Sequence, residues 1–278
     1  MITQLSTSYP IETLCALLDC PRSSYYYQPV PPDDTALRTA IEQIVIRWPF
    51  YGYRRVTAQL RREGWTVNSK VVRRLLQEFG LHGRIGRVRW HTTDSTHALP
   101  RYPNLVRNLV ARYPDQIWCA DITYLRLGMR FIFLAVILDA FTRAVRGWHL
   151  GRSLSHELAL RALEQALLQR EPTIHHSDQG VQYAAQGYVA QLRAHTIQIS
   201  MADVGQPTQN AIAERFMRTL KEEHVDYTEY TDFTDAERQL KHWLEVEYNH
   251  QRIHSALAYA TPVEFEAAFW AAAMANTS

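Results

Sequence analysis

The chain has 278 residues, 46% hydrophobic and 21% charged with a net charge of +2, a composition that can bury a core and excludes a disordered polyelectrolyte. Its three cysteines, Cys15, Cys20 and Cys119, exclude a disulfide framework, and none has the Cys-x-x-Cys spacing of a zinc site, which fits a reducing cytoplasm. The opening MITQLSTSYP is no secretory leader, and the apolar run 131–138 is far too short to span a bilayer, so no membrane partner is expected.

Charge is unevenly placed. Residues 37–90 hold twelve Lys or Arg against three Asp or Glu, a local net of +9 that leaves about −7 for the remainder. A basic segment joined to an acidic one suggests a grip on a polyanion beside a site able to hold cations, although a solvated basic face explains the charge alone equally well.

In chain order, residues 1–30 form a small helical segment, IETLCALLDC and RSSYYY around Pro21, with the outline of a helix-turn-helix. PVPPDD at 29–34 cannot continue a helix and reads as a linker. Residues 31–82 give three helices with short connections. The first ends at Pro49, the second, YRRVTAQLRREG, stops at Gly64, and the third, KVVRRLLQEFG, is capped by Asn68 or Ser69. Lys70, Arg73 and Arg74 lie off the apolar face of the third helix, and Arg54 and Arg55 are on the second. That layout suits a recognition helix in a major groove backed by phosphate contacts, with a plain basic bundle as the bland alternative.

Residues 83–112 read as a basic connecting arm, in which His91 and His97, with His82 before it, lack the paired spacing of a metal site. From Ile117 the pattern changes. IWCADITYLRL, RFIFLAVILDAF and RAVRGWHL are β-rich runs spaced as an antiparallel meander. Alternating helices and short strands follow through PTIHHSD and TIQIS. The fold class is therefore α/β, with a mixed five-stranded sheet and flanking helices over 113–230, preceded by the all-α region. Residues 231–278 form a helical extension that begins with one long helix, DAERQLKHWLEVEYNH.

Asp121 sits inside a strand, where Asp is disfavoured, and Asp178 ends the fourth strand. This strand order makes theirs adjacent central strands, and a helix after the fifth can bring Glu214 beside them. Three carboxylates in one cleft repel unless cations lie among them, and an all-oxygen set selects Mg2+ or Mn2+. Two such ions would clamp an in-line phosphoryl displacement, though a structural cation site would use the same residues. Asn210, Glu214, Arg218 and Lys221 share one helix face, which sets a carboxylate among groups suited to hold DNA.

WCADITYL, HHSDQGVQY and GQPTQNAIAERFMRTLKEE, with 35 residues between Asp178 and Glu214, resemble the D,D(35)E blocks of OrfB-type transposases of the insertion-sequence-three family. The stretches YGYRRVTAQLRREGWTVNSKVVRRLL and YNHQRIHSALAYATPVEF resemble that family's helix-turn-helix and closing segment, so the likeness runs from about Cys15 to Phe265. The resemblance implies a core like retroviral integrase and ribonuclease H. Asp121, Asp178 and Glu214 would be catalytic and hold two Mg2+ ions, for which Mn2+ may substitute. It carries a DNA contact to Lys221, seven residues after Glu214, and the closing segment adds Arg252 to the expected DNA-contacting set. Gln179, Asp203 and Val204 depart from the usual pattern.

The implied activity is a DDE transposase that binds terminal inverted repeats, cleaves 3′ ends and joins strands by transposition through a circular intermediate. Its expected partners are terminal-repeat and target DNA, further copies of itself on DNA, and an upstream first-frame helix-turn-helix protein, separate or fused. A DNA-binding repressor without catalysis and a ribonuclease H-like nuclease that never joins strands remain the alternatives. Loss or retention of covalent joining to a target separates them.

Overall fold

A computed structural model describes residues 2–27, 34–80, 100–203 and 206–275. The prolines of the expected linker, His82, His91 and His97 of the arm region, and Val204 lie outside the described residues. The chain divides into two compact units, Met1–Gln43 and Ile44–Ser278. The first contains α1 (Ile2–Leu5), α2 (Ile11–Leu17) and α3 (Arg22–Tyr26), and buries Leu14 and Cys15 of α2. Helix α4 (Thr35–Arg47) crosses the division.

The second unit opens with α5 (Tyr53–Arg62) and α6 (Ser69–Glu78). Gly64, at φ 91°, makes the turn between them, a backbone that side chains strain to adopt. Asn68 caps α6 by accepting from Lys70 N at 2.9 Å. Val56 and Leu60 of α5 and Val72, Leu75 and Leu76 of α6 are buried, which leaves Arg54 of α5 and Lys70, Arg73 and Arg74 of α6 facing outward.

The remaining elements follow the expected order: β1 (Ile117–Leu127), β2 (Arg130–Asp139), β3 (Val145–Gly151), α7 (His156–Leu167), β4 (Ile174–Ser177), α8 (Val181–Ala184), α9 (Gln186–Ala194) and β5 (Gln198–Met201). A 3-10 turn at Pro207–Asn210 leads into α10 (Ala211–Glu223), followed by α11 (Phe233–His242) and α12 (Pro262–Ala275). The strands form one mixed sheet in the order β3-β2-β1-β4-β5. The first three strands are antiparallel neighbours, whereas β4 runs parallel to both β1 and β5. A parallel return needs a crossover, and α7 and then α8 with α9 supply the two.

Strand β1 is central, so both of its faces are covered. Ile117, Cys119 and Leu125 pack with Ala213, Phe216, Met217 and Leu220 of α10, while Trp118 and Ala120 pack with α7 and α9. This double burial explains the unbroken apolar opening of β1, which precedes Asp121. Edge strand β3 is closed by Asn249, whose side chain accepts from Val145 N at 3.0 Å and donates to Val145 O at 3.2 Å. Helix α12 is tied in by Glu266, which meets Arg146 and Arg170, each at 2.9 Å.

One expected element differs. The single long helix read after 230 runs as α11 only to His242 and continues as a π-helical segment, Trp243–Gln251. Its wider turn closes with Arg252 N donating to Glu247 O at 2.7 Å, five residues back, and sets Arg252 against the core. Among the described residues no helix is long and apolar enough to cross a membrane.

Helix α7 comes close to the sheet at Gly147. A Cβ there would stand 2.3 Å from Ala162 O and 2.8 Å from Ala166 Cβ, and the first of these is backbone that cannot rotate away. Gly147→Ala should cost about 1–3 kcal/mol of stability by overpacking, measured as a lowered urea midpoint at unchanged slope.

Candidate active site

Parallel pairing fixes the first two acids. Cys119 stands opposite His176, so Asp121 within β1 and Asp178 just beyond the end of β4, each two residues further along, lie level with one another. Asp121 Oδ1 accepts from Ile122 N at 2.8 Å, and Asp178 Oδ1 accepts from Gly180 N at 3.0 Å. A Cβ on Gly180 would lie 3.0 Å from that same oxygen, so glycine is what lets the loop close on the carboxylate.

The third acid depends on how α10 is anchored, and two buried polar contacts do this. Asn210, the residue before α10, donates from Nδ2 to Ala120 O at 3.0 Å, immediately before Asp121. His176, fully buried on β4, places Nε2 3.2 Å from Gln209 O and Nδ1 2.8 Å from Ser200 Oγ. A carbonyl only accepts, so Nε2 carries the proton and Nδ1 accepts from Ser200, whose oxygen in turn accepts from Leu105 N. Burial pushes the His176 pKa down to about 4, which keeps this neutral tautomer in place. The Gln209 side chain also accepts from Asp203 N and Asn104, each at 2.7 Å. Glu214 thus starts its helix tied to both acid-bearing strands.

Two of the carboxylates act on the third. Burial first, then the charges of Asp178 and Glu214, raise the Asp121 carboxyl to about 7 against the pull of Ile122 N and Lys221. Among the described residues no three His, Cys, Asp or Glu side chains stand in ready chelating geometry. An all-carboxylate set in which Asp178 and Glu214 raise the proton affinity of Asp121 nevertheless has the donor chemistry of a hard divalent cation site, because a cation would replace the proton. Tyr183 lies behind this cluster, buried, with its hydroxyl lacking a hydrogen-bond partner. Burial, then Asp178 and Asp121, hold the phenol well above its ordinary pKa, so it stays a donor facing the acids.

The expected DNA-contacting residues divide into two groups. Arg54, Lys70, Arg73 and Arg74 are exposed on α5 and α6, where Tyr53 lies beneath both Arg54 at 5.4 Å and Arg73 at 5.7 Å. Arg218 is exposed on α10, and Lys221 Nζ sits 4.7 Å from the Tyr124 ring. Asn210, Arg55 and Arg252 are placed otherwise. Asn210 is buried with its amide spent on Ala120. Arg252, 7% exposed, holds both oxygens of buried Glu223 at 2.5 and 2.7 Å, and Arg55 completes the group at 3.0 Å. A buried carboxylate demands paired cations, and this demand turns both arginines inward. Nothing in the sequence distinguished Glu223 from a helix-surface Glu, and His176, Gln209 and Tyr183 were missed because each contacts a residue distant in the chain.

Integrase core domain families match residues 111–207 and 195–262, and an HTH-like domain family matches residues 32–89. The chain is 32% identical to the transposase for insertion sequence element IS629 of Shigella sonnei, over 98% of this chain and 96% of that protein. The chain belongs to the IS3 family of insertion-sequence transposases. Transposase InsF for insertion sequence IS3A of Escherichia coli (strain K12) is 34% identical over 78% of this chain and 76% of its own length. The HTLV-2 integrase catalytic core domain in complex with magnesium overlays with a TM-score of 0.44 at 18% identity, covering 55% of this chain and 97% of that one. An IS3-family transposase with an integrase core is an enzyme of phosphodiester chemistry, a polynucleotidyl transferase, with an HTH-like DNA-binding domain.

Two outcomes follow for the transposase. Glu223→Gln leaves the buried Arg252 guanidinium and the half-buried Arg55 without their counter-charge, so it should cost about 3 kcal/mol in denaturant unfolding. Burial also lowers His175 to about 3 and His224 to about 4, alongside His176. Unfolded histidines bind protons near pH 6.5 while these stay neutral, so between about pH 6.5 and 4 the unfolded state holds more protons and stability falls with falling pH. Asp121, raised to about 7, works in the opposite direction, so the melting temperature of Asp121→Asn should fall more steeply than that of wild type over this range.

Proposed function

We propose that this transposase binds the terminal inverted repeats of its element, cuts the 3′ ends and joins them to target DNA, with Asp121, Asp178 and Glu214 as the catalytic carboxylates. The observation that carries the reading is the action of two acids on a third, with Asp121 within β1 raised to about 7 by burial and then by the charges of Asp178, just beyond β4, and Glu214. Asp121, Asp178 and Glu214 would hold two divalent cations, Mg2+ or Mn2+, on donor chemistry. Such a pair, when bound, brings attacking and leaving oxygens into line and takes up their developing charge.

The chain's own groups do the rest. Arg54, Lys70, Arg73 and Arg74 grip the repeat through the outer faces of α5 and α6, and Arg218 and Lys221 hold the backbone of the strand entering the acid cleft. Asn210 and His176 position α10, and Tyr183 keeps a neutral donor beside Asp178 and Asp121. In the first step a water oxygen bonds to phosphorus and the bond to the 3′ oxygen breaks, leaving a 3′ hydroxyl. That hydroxyl then attacks a target phosphodiester, forms the new phosphodiester and expels the target's own 3′ hydroxyl. No covalent protein intermediate is needed. The chain acts as an oligomer on paired ends, with an upstream first-frame protein as its further partner.

The test is a labelled terminal-repeat duplex incubated with target DNA and Mg2+, with and without the upstream protein. Covalently joined product is expected, reduced at least 100-fold by Glu214→Gln, with DNA affinity retained. Hydrolysis without joining would favour a nuclease, and binding without cutting a repressor.

A further inference from the structure

The β1–β2 hairpin carries aromatic side chains that the core does not use. Tyr124 on β1 and Phe131 on β2 are 45% and 55% exposed, yet they meet edge-to-face with ring centroids 5.5 Å apart. They form a diagonal pair in the antiparallel register, in which Tyr124 faces Phe133 and Arg126 faces Phe131. Cation supply is local. Lys221 Nζ lies 4.7 Å from the Tyr124 ring, and Arg126 and Arg130 are exposed on the same hairpin. Aromatic faces interleaved with basic groups are how proteins hold unpaired nucleotides without reading their identity.

The position of the pair matters as much as its chemistry. Tyr124 is three residues beyond Asp121 on β1, an odd step that turns its side chain to the other face of the strand about 10 Å further along, and three stacked nucleotides span about the same distance. Lys221 links the two places, since its ammonium also acts on Asp121. We infer that Tyr124 and Phe131 form a stacking platform for an unpaired base within about three nucleotides of the phosphate cut in the acid cleft, with Lys221 holding the adjoining backbone. The inference rests on the proposed entry of a DNA strand into that cleft, and it adds a function for a hairpin outside the carboxylate cluster. A second protein copy would be an alternative occupant of an exposed aromatic pair. The three basic groups around it favour a polyanion instead.

The full chain, with no divalent cation present, is titrated onto terminal-repeat duplexes carrying 2-aminopurine at each of the last three positions in turn. Binding should change the fluorescence at one of them. Tyr124→Ala should remove that change and weaken binding about ten-fold, while Tyr124→Trp keeps both. An abasic site at the same position should weaken wild type equally and the alanine variant no further. Equal signals from wild type and Tyr124→Ala would overturn the platform, as would a Tyr124→Ala penalty that persists on abasic DNA or a variant that changes only the oligomeric state. Strand joining by wild type is scored separately. Joining with an unaffected Tyr124→Ala signal sinks only the platform, and a lost signal without joining sinks only the strand-transfer reading.

Discussion

The site depends on how one helix is pinned to two strands. Asn210 Nδ2 reaches Ala120 O at 3.0 Å, and Gln209 O meets His176 at 3.2 Å, so the residues before α10 are bonded beside both aspartates. The Asn210 and His176 side chains are both buried, where a polar group left unpaired costs about 1–3 kcal/mol, so the two contacts act as registers that a slipped helix would have to break. Burial keeps His176 neutral, and the neutral tautomer is the one that satisfies both Gln209 and Ser200. The apolar face of α10, with Phe216, Met217 and Leu220 on β1, supplies the burial that makes these hydrogen bonds worth keeping.

The far end of the same helix is held by charge. Glu223 gathers Arg55 from α5 and Arg252 from beyond the π-helical segment, so α10 links the DNA-binding helices to the closing part of the chain. A helix with Glu214 near its start and Glu223 near its end joins the carboxylate cluster to the HTH-like helices. Ile253 N also donates to Tyr51 Oη at 3.1 Å, which fastens the closing segment to the approach of α5.

Much of this was legible in the sequence. β-rich runs between turn-like breaks located the five strands, and apolar stripes with Gly64 and Asn68 located α5 and α6, because those signals are local. Asp121 stood out because a carboxylate inside a β-branched run needs a reason. The inward turn of Arg55 and Arg252 was not legible, since it depends on Glu223, 168 residues from one and 29 from the other. Asn210 was misread for a related cause. Its spacing places it on the face of Glu214, but the helix begins only at Ala211, and the amide before that start turns to the strand. The π-helical segment escaped because the apolar residues Leu240, Trp243, Leu244 and Tyr248 fit an ordinary helical stripe.

The central claim is that Asp121, Asp178 and Glu214 form one strained anionic cluster that a divalent cation relieves. The most direct measurement is the melting temperature of the full chain at pH 8 against Mg2+ or Mn2+, for wild type and Asp121→Asn. Asp121 has a folded pKa raised to about 7, so its favourable contribution is present at lower pH and lost as pH rises through that value. At pH 8 without cation, Asp121→Asn should melt above wild type; added cation should raise wild type and leave the variant nearly unmoved. A variant that melts below wild type without cation, or that gains as much from cation as wild type does, would contradict the account.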